Sequence, residues 1–476
     1  MVETGSYTTS HSTGAALPPG SDRLLYVALI AGSAALGGFL FGFDTAVINS
    51  AITGVQDRFS IGAGATGLVV SSALIGCAFG AWFAGSLADR FGRVRTMQVA
   101  ALLYAVGALA AAMPFSAVDL VFWRIVCGLG IGLASVTGPA YIAEVSPAAY
   151  RGRFGSLQQL GMVVGIAGAQ LLNYGIVAVA GGSANQLGPF SAWQWMLGIA
   201  VVPAIIFGIL VSRIPETPRH LVTKNRFTEA REVLDRIEPG AAEERLGEIR
   251  RSLEHEPKPR LRHLLGGRRV LLPIVWAGIA LSMLQQFVGI NVIFYYSATL
   301  WQSVGIGEDA ALLNSVVSAV VNILGTFLAI ALIDKVGRRP ILFAGSIGMS
   351  ASLGVAAWCF GYSEVVDGAT VLPDPQGQIA FVAANAFVFF FAASWGPLVW
   401  VLLGEMFPNR IRAAALSVAA AAQWLSNWVV SMSFPSLAEF SLTFAYGMYT
   451  TFAVLSFFFV LKFVPETKGK TLEQMG

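Results

Sequence analysis

The sequence is poor in charged residues. Only 12% of its 476 residues are Asp, Glu, Lys or Arg, whereas 55% are hydrophobic. An ordinary soluble domain carries roughly 25% charged residues, so this chain cannot cover a surface that faces water. Its net charge of +3 is small, which argues against an acidic partner such as nucleic acid. The solvent that this composition fits is the lipid bilayer.

Cysteine and histidine are also scarce. The three cysteines, Cys77, Cys127 and Cys359, lie inside apolar runs without CxxC spacing. This placement is typical of small buried side chains rather than of a disulfide framework or a zinc site. The four histidines lie in the N-terminal tail or in a polar central stretch, and no HExxH motif or nucleophile–base set occurs. We therefore expect no enzyme activity, no metal and no other cofactor.

Long apolar runs are abundant. A helix needs roughly 20 apolar residues to cross a bilayer, and the sequence contains twelve runs of about that kind. They lie near residues 24–49, 66–87, 97–113, 121–142, 155–178, 193–212, 270–300, 311–333, 340–360, 378–404, 413–437 and 444–464. The runs lack the polar alternation of a membrane barrel, so they predict an all-α membrane protein with twelve transmembrane helices.

Basic residues lie almost entirely on one side of the membrane that the twelve predicted helices would cross. Of the 30 lysine and arginine residues, 28 fall in the tails, in the loops on the same side as the tails, or in the central stretch. An excess of this size marks the cytoplasmic side, so both termini are predicted to be cytoplasmic. The predicted divisions are a disordered tail (1–22), a six-helix bundle (23–212), a cytoplasmic linker (213–269), a second six-helix bundle (270–464) and a tail (465–476).

The linker is too short and polar to bury a sizeable core. The apolar residues of Phe227–Ile237 recur at helical spacing, which predicts a short amphipathic helix against the cytoplasmic ends of the bundles.

Three motifs occur once in each half of the chain. Residues 85–93 read GSLADRFGR and residues 331–339 read ALIDKVGRR. Glu144, Pro147 and Arg151 recur at the same spacing as Glu405, Pro408 and Arg412, and the sequence PET occurs at 215–217 and 465–467. Three matches in the same order indicate a duplicated six-helix unit, which is a common transporter design.

The repeated carboxylates and arginines predict a cytoplasmic gate. Arginine suits bidentate pairing with carboxylates, so pairs formed across the two halves would close the cytoplasmic side and break when it opens. The alternative is that the basic loops only anchor the topology. The candidate gate residues are Asp89, Arg90, Arg93, Glu144, Arg151, Glu216, Asp334, Arg338, Arg339, Glu405, Arg412 and Glu466.

Together with the repeated motifs, four further segments resemble the sugar-porter family of the major facilitator superfamily. They are FLFGFD at 39–44, QQFVGIN at 285–291, WGPLVW at 395–400 and QWLSN at 423–427. The resemblance covers residues 24–470 and is strongest to bacterial xylose–proton symporters and animal glucose facilitators. It implies the major facilitator fold, with two pseudo-symmetric six-helix bundles, and transport of a monosaccharide.

The resemblance implies a sugar site made of buried amides and aromatic rings. Amides inside apolar runs need partners, and sugar hydroxyls would supply them, although each amide alone could instead join two helices. The implied substrate-binding residues are Phe41, Gln159, Gln285, Gln286, Asn291, Asn322, Trp400, Gln423, Trp424 and Asn427. Gly289 is expected to break the helix so that Gln285 and Asn291 face one cavity. Tyr295 and Tyr296 are expected either to gate the outer mouth or to form a lipid-interface belt.

Asp44 and Arg124 are the candidate proton-coupling pair. Asp44 lies in the first apolar run and Arg124 in the fourth, at similar depth for a rise of ~1.5 Å per residue, so we expect an ion pair. Desolvation favours the neutral acid and a nearby guanidinium favours the carboxylate, so a balanced group could load and release a proton. A carboxylate stands here in the resembling symporters and an amide in the facilitators. The alternative is a permanent structural ion pair.

Two positions depart from the xylose symporters. Ile166 stands where they carry a second glutamine, and about Ala200 stands where they carry a glutamate. The first favours a hexose or broad specificity, and the second leaves proton coupling to Asp44. The leading interpretation is a monomeric proton-coupled monosaccharide transporter of a bacterial inner membrane. A passive sugar facilitator is the runner-up, and a membrane sugar sensor is the alternative from another class.

Overall fold

A computed structural model describes residues 21–147, 150–255, 264, 271–366, 369–407, 411–464 and 466. Within this part, the first half of the chain contains seven helices in its membrane region. They are α1 (Ser21–Phe59), α2 (Ala63–Phe91), α3 (Arg93–Ala111), α4 (Ala117–Val145), α5 (Arg151–Ala180), α6 (Ala192–Ile199) and α7 (Val201–Val211). The last two follow each other directly and together form the sixth predicted crossing.

The second half repeats this arrangement with eight helices in its described residues. They are α11 (Pro273–Phe287), α12 (Ile290–Gln302), α13 (Glu308–Val336), α14 (Arg338–Phe360), α15 (Gln376–Ala392), α16 (Trp395–Met406), α17 (Arg412–Phe440) and α18 (Leu442–Phe463). The halves contact each other mainly through α2 with α17, α5 with α13 and α1 with α12.

The helices agree with the twelve predicted crossings. Eleven helices, or pairs of consecutive helices, in the described residues are long and apolar enough to cross a membrane. The remaining long helix, α17, has 29 residues and buries the polar residues Gln423, Ser426 and Asn427. The predicted fold class is therefore confirmed, and α17 carries polar residues inside the bundle.

Three short helices lie between the halves, α8 (Pro218–Thr223), α9 (Phe227–Ile237) and α10 (Ala242–His255). Helix α9 covers the segment for which the apolar spacing predicts a helix, and it buries Ala230, Val233, Leu234 and Ile237. The predicted linker residues 256–263 and 265–269 lie outside the described residues, as do tail residues 1–20, 465 and 467–476. Two small antiparallel hairpins connect helices, β1–β2 (Gln186–Leu187 with Phe190–Ser191) and β3–β4 (Glu364–Val366 with Ala369–Val371).

Helix α1 is longer than its apolar run. The prediction ends the run near Asn49, whereas the helix continues to Phe59. Its last turns contain Gln56, Asp57 and Arg58, which are polar enough to leave the lipid. A run of apolar residues reports where lipid ends, and the backbone can remain helical beyond that point.

Two breaks interrupt the second half. Gly289 has φ +83° and separates α11 from α12, so the break predicted at this glycine is confirmed. A second break, at Ala393 and Ser394, separates α15 from α16, and the sequence interpretation missed it. Pro397 is the signal that could have located it, because proline is favoured in the first turn of a helix and disfavoured in the interior.

Candidate functional site

Asp44 and Arg124 meet inside the first half. Arg124 Nη2 lies 3.3 Å from Asp44 Oδ2. Arg124 is 1% exposed and Asp44 is 8% exposed. The expected ion pair is therefore present in the structure. Its members come from α4 and α1, so the pair ties those two helices together.

Arg124 has further partners on α2. Its Nε donates to the carbonyl of Val69 at 3.0 Å and its Nη2 donates to the carbonyl of Val70 at 3.3 Å. Small residues allow this approach, because a Cβ at Gly128 would overlap the backbone of Ala73. The guanidinium is thus held on α2 independently of Asp44, so loss of the carboxylate charge would not leave it without hydrogen-bond acceptors.

The second half contains a chain of hydrogen-bonded amides. Gln423 Nε2 donates to Gln285 Oε1 at 2.7 Å, and Gln286 Nε2 donates to the same oxygen at 3.4 Å. Asn291 Nδ2 donates in turn to Gln286 Oε1 at 2.6 Å. The break at Gly289 lets α11 and α12 contribute to one network, as the sequence predicts. We refer to Gln285, Gln286, Asn291 and Gln423 as the amide network.

Gln285 also bonds to backbone carbonyls beside the second helix break. Its Nε2 donates to the carbonyls of Trp395 at 2.8 Å and of Gly396 at 3.1 Å. These carbonyls belong to the first turn of α16, next to the break. Gln285 therefore joins α11, α16 and α17 through one side chain, which is 2% exposed.

One polar atom of the amide network has no partner in the described part of the chain. Gln423 Oε1 is buried and unpartnered, and leaving such a group unpaired costs about 1–3 kcal/mol. Asn427 accepts a bond from Ser431 Oγ at 3.2 Å. Asn322 is 6% exposed and Gln159 is half-buried. Gln423 thus presents a free acceptor, as a ligand with hydroxyl groups requires.

Aromatic rings from both halves meet at Trp424, the residue that follows Gln423 of the amide network. Phe41 of α1 and Trp424 of α17 form an edge-to-face contact with ring centroids 5.3 Å apart. Trp424 is 9% exposed, whereas Trp400, the other predicted stacking platform, is 38% exposed. The contact between the halves is therefore made through Trp424, and Trp400 offers an accessible face on α16.

Tyr295 and Tyr296 are both buried in the protein, at 2% and 1% exposure. Tyr296 donates its hydroxyl to the carbonyl of Ser431 at 2.6 Å, and Tyr295 accepts from Thr45 Oγ1 of the first half at 3.5 Å. These contacts are incompatible with the alternative of a lipid-interface belt. The gating role stays a prediction.

The cytoplasmic motifs build the same structure twice. Arg93 Nη2 lies 2.9 Å from Glu144 Oε1, and Arg338 Nη2 lies 2.9 Å from Glu405 Oε1. Both arginines follow a glycine of positive φ, 102° at Gly92 and 107° at Gly337. The duplicated unit predicted from the motifs is thus visible in atomic detail.

The glutamates of the two PET sequences cap helices. Glu216 accepts from the backbone N–H groups of Arg93 and Val94, at 3.0 and 3.1 Å. Glu466 accepts from those of Arg338 and Arg339, both at 3.0 Å. A carboxylate at a helix N-terminus satisfies orphan donors and complements the dipole, so these residues fix the start of α3 and of α14.

The ion pairs of the repeated cytoplasmic motifs lie within each half. Arg93 pairs with Asp89 and Glu144 of its own half, and Arg338 pairs with Glu405 of its own half. Pairs across the halves, as predicted for a closed cytoplasmic side, are not among these contacts, and the gate stays a prediction. The pairs brace each bundle internally.

The other candidate gate residues are less informative. The guanidinium of Arg90 lies over the ring of Phe91, 5.2 Å from its centroid. Arg339 donates to the carbonyl of Leu461 at 2.7 Å. The side chains of Arg151, Asp334 and Arg412 lie outside the described residues.

His220 in α8 was not singled out from the sequence. It is 4% exposed and its Nδ1 lies 3.5 Å from Arg93 Nη1. Burial, and after it the positive charges of Arg93 and Lys224, lower the pKa of His220 below its ordinary value of 6.5. The imidazole is therefore held neutral beside the bracing arginine of the first half.

This lowered pKa predicts an acid-sensitive contribution to stability. The unfolded chain binds the proton more readily, so the contribution is complete above about pH 6.5 and is lost as pH falls toward the folded-state pKa. We expect the Tm of the wild type to fall on acidification from about pH 7.5 to 5.5, and that of His220→Gln to fall less. Thermal unfolding of both proteins in detergent checks this, and parallel pH profiles would contradict it.

Comparisons with known proteins agree on one family. The family model described as sugar (and other) transporter matches residues 30–476. The chain is 52% identical to the glucose transport protein of Synechocystis sp., over 94% of this chain and 97% of that protein. It is 37% identical to the D-xylose-proton symporter of Escherichia coli K12, over 94% and 95% of the two chains.

Solved structures give the same result. The structure is similar to a partially occluded inward-open conformation of the xylose transporter XylE from E. coli, with a TM-score of 0.81 and 34% identity over 94% of this chain and 100% of that one. An inward-open conformation of the same transporter gives a TM-score of 0.80, with 34% identity over 94% and 99% of the two chains.

Proposed function

This chain belongs to the sugar transporter family, and from that premise we propose that it imports a monosaccharide together with a proton by alternating access. The observation that carries the proton part is the buried pair of Asp44 and Arg124. An ionisable residue inside a transmembrane bundle is costly, and such residues mark ion and proton pathways. The anchoring of Arg124 on Val69 and Val70 supports a carboxylate whose charge can change without unfolding the site.

The sugar part is supported by the amide network. Sugar hydroxyls both donate and accept, so they can bond to either end of an amide. We assign the sugar to the amide network, to Gln159, Asn322 and Asn427, and to the aromatic faces of Phe41, Trp400 and Trp424. The unpartnered Gln423 Oε1 would receive one hydroxyl of the bound sugar.

A hexose is the preferred substrate in this proposal. Ile166 is buried in α5 at 5% exposure and supplies only apolar contact where a second glutamine would supply hydrogen bonds. A site rejects a substrate that leaves its polar groups unpaired far more strongly than one that differs by a methylene group. An apolar residue at this position therefore suits the C6 methylene of a hexose, provided that the C6 hydroxyl bonds to another polar group of the site. The identity to a glucose transport protein supports the same choice.

We place the protein in a bacterial cytoplasmic membrane as a monomer with both termini inside. The distribution of basic residues supports the orientation. The divisions in this proposal are the two bundles, 23–212 and 270–464, the linker 213–269, and the tails 1–22 and 465–476.

An uptake panel tests the proposed function. Purified protein in proteoliposomes is given labelled glucose with an excess of unlabelled glucose, galactose, xylose or arabinose, with and without a protonophore. We expect glucose and galactose to compete more strongly than the pentoses, and the protonophore to abolish accumulation while exchange continues. Equal accumulation with and without the protonophore would instead indicate a carrier that does not use the proton gradient.

A further inference from the structure

Gln170 is a buried amide for which the described part of the chain supplies no hydrogen-bond partner. The residue lies in α5 and is 1% exposed, and neither its Oε1 nor its Nε2 bonds to a described residue. Leaving both ends of a buried amide unpaired is unfavourable, so each such group in a folded protein calls for an explanation. A ligand that carries a hydroxyl group would supply the missing partner.

The face of α5 that carries Gln170 also carries two residues of the proposed sugar site. Gln170 follows Ile166 by four residues and Gln159 by eleven, so the three side chains lie on one side of the helix. That side is turned into the protein, since Ile166 is 5% exposed, whereas Leu171, directly after Gln170, is 62% exposed. Gln170 therefore extends the sugar-facing side of α5 by one turn.

Two contacts with α1 fix the depth of Gln170. The first is at Gly42, where an added Cβ would lie 3.1 Å from the backbone nitrogen of Ile166. Gly42 directly follows an aromatic residue of the proposed sugar site. At the second contact, Asn173 Nδ2 donates to the carbonyl of Ala46 at 3.4 Å. Gln170 lies between these contacts along α5, within about one helical turn of Ile166.

Helix geometry directs the amide of Gln170 toward Ile166. Side chains of an α-helix lean toward its N-terminus and cover the preceding turn, and Ile166 lies one turn before Gln170. A hexose differs from a pentose of the same ring configuration by one carbon, C6, and its hydroxyl. When the C6 methylene packs against Ile166, the C6 hydroxyl needs a polar partner beside that residue, which is where the amide of Gln170 lies.

Neighbouring polar groups at this depth already have partners. Thr45, which lies between the two contacts on α1, donates through Oγ1 to the carbonyl of Phe41 at 2.9 Å and to the hydroxyl of Tyr295 at 3.5 Å. Asn173 is held on α1 through one end of its amide. Gln170, in contrast, has both ends of its amide available.

We propose that Gln170 is a specificity-determining residue that bonds to the C6 hydroxyl of a bound hexose. This inference rests on the proposed function and deepens it, because it names the polar group that the C6 hydroxyl requires beside Ile166. The hydroxyl donates to Oε1 or accepts from Nε2, and either bond satisfies a buried atom of Gln170. A pentose in the same ring form has no C6 and leaves both atoms unpaired, so the site favours the hexose.

Titration calorimetry on the detergent-solubilised protein tests the proposal with glucose, 6-deoxyglucose and xylose. 6-Deoxyglucose lacks only the C6 hydroxyl, and xylose lacks the whole C6 group. The wild type should bind glucose about tenfold more tightly than 6-deoxyglucose, as expected for one hydrogen bond between neutral groups. In Gln170→Met, which keeps an unbranched side chain without the amide, that preference should disappear because glucose binds about tenfold more weakly.

The comparison of sugar and variant forms a thermodynamic cycle. Gln170→Met and 6-deoxyglucose each remove one partner of the same bond, so the variant should bind 6-deoxyglucose as the wild type does. Gln98→Met is the matched control, because Gln98 is an amide on α3 that bonds to Ser212 at an exposed site. This control should keep the preference of the wild type for glucose over 6-deoxyglucose.

Thermal unfolding separates a binding role from a structural one. Replacing two unpaired buried polar atoms by apolar ones should raise the Tm of the sugar-free protein. Added glucose should then raise the Tm of Gln170→Met less than that of the wild type, because the variant binds glucose more weakly. An amide that held the bundle together would instead lower the Tm of the sugar-free protein when it is replaced.

Equal affinity of the wild type for glucose and 6-deoxyglucose would overturn the proposal without any variant. An equal loss of affinity for all three sugars in Gln170→Met would also overturn it, as would failure of that variant to fold. The titration uses no proton gradient, so its result does not depend on proton coupling. A wild type that binds glucose without preference at C6 contradicts this inference alone, whereas one that binds no monosaccharide contradicts the proposed function as well.

Discussion

Asp44→Asn is expected to abolish sugar accumulation driven by an inward proton gradient while leaving sugar exchange intact. With one proton per sugar, a gradient of one pH unit supports accumulation of about tenfold at equilibrium. Asparagine fills nearly the same volume as aspartate, but its amide does not take up or release a proton in the physiological pH range. The variant should therefore equilibrate sugar across the membrane and reach no higher internal concentration.

The variant is expected to fold. Removing one member of a buried ion pair commonly costs about 3–5 kcal/mol because the other charge is left unpaired. Here Arg124 retains the carbonyls of Val69 and Val70, and the asparagine side-chain oxygen can still accept a bond from it. Counterflow, in which labelled sugar enters against trapped unlabelled sugar, needs binding and alternation but no net proton movement.

The measurement is labelled sugar uptake into proteoliposomes with and without an imposed pH gradient. Asp57→Asn is the matched control, because Asp57 lies on the same helix but is exposed. It should accumulate sugar like the wild type. Accumulation by Asp44→Asn would mean that the ion pair is a permanent structural feature.

Gln285→Ala should raise the sugar dissociation constant by about 100-fold or more. The substitution removes the donor to Trp395 and Gly396 and the acceptor for Gln423 and Gln286. Each such loss leaves a buried group unpaired, at about 1–3 kcal/mol. That cost falls on stability. Binding loses the direct bonds of Gln285 to the sugar and the positioning of Gln286 and Gln423, and a loss of two to three kcal/mol from binding corresponds to about 30- to 150-fold.

Sugar binding is measured by titration calorimetry on detergent-solubilised protein. Thermal unfolding of the same sample separates loss of binding from loss of fold. Gln98→Ala is the matched control, because Gln98 is an amide on α3 that bonds to Ser212 at an exposed site. Unchanged affinity in Gln285→Ala would remove the amide network from the sugar site.

Depth along a helix was predictable, and direction around it was not. Asp44 and Arg124 were expected to meet because their runs place them at similar depth, and they do. Arg93 and Arg338 were also placed correctly by depth, but the sequence did not identify Glu144 and Glu405 of their own halves as the partners that the structure gives them. A hydropathy run gives the position of a residue relative to the membrane, whereas the partner of a long side chain depends on helix rotation and on close packing at residues such as Gly128.

Of the two helix breaks in the second half, only the one at a glycine was predictable from the sequence. Gly289 lies between two polar clusters, which made a break there useful, and the structure contains it. Ser394 lies inside a continuous apolar run, so its break was missed, although Pro397 follows it. Asn49 lies at the end of an apolar run and resembles a helix boundary in the sequence, whereas α1 continues past it and buries it.

The most direct test of the account is a pH recording on lightly buffered proteoliposomes without an imposed gradient. Adding sugar outside should make the medium more alkaline for the wild type, because each sugar brings a proton inward. The Asp44→Asn variant should take up sugar without that change. Sugar entry through the wild type without alkalinisation, or an unchanged pH response in Asp44→Asn, would contradict proton coupling at Asp44.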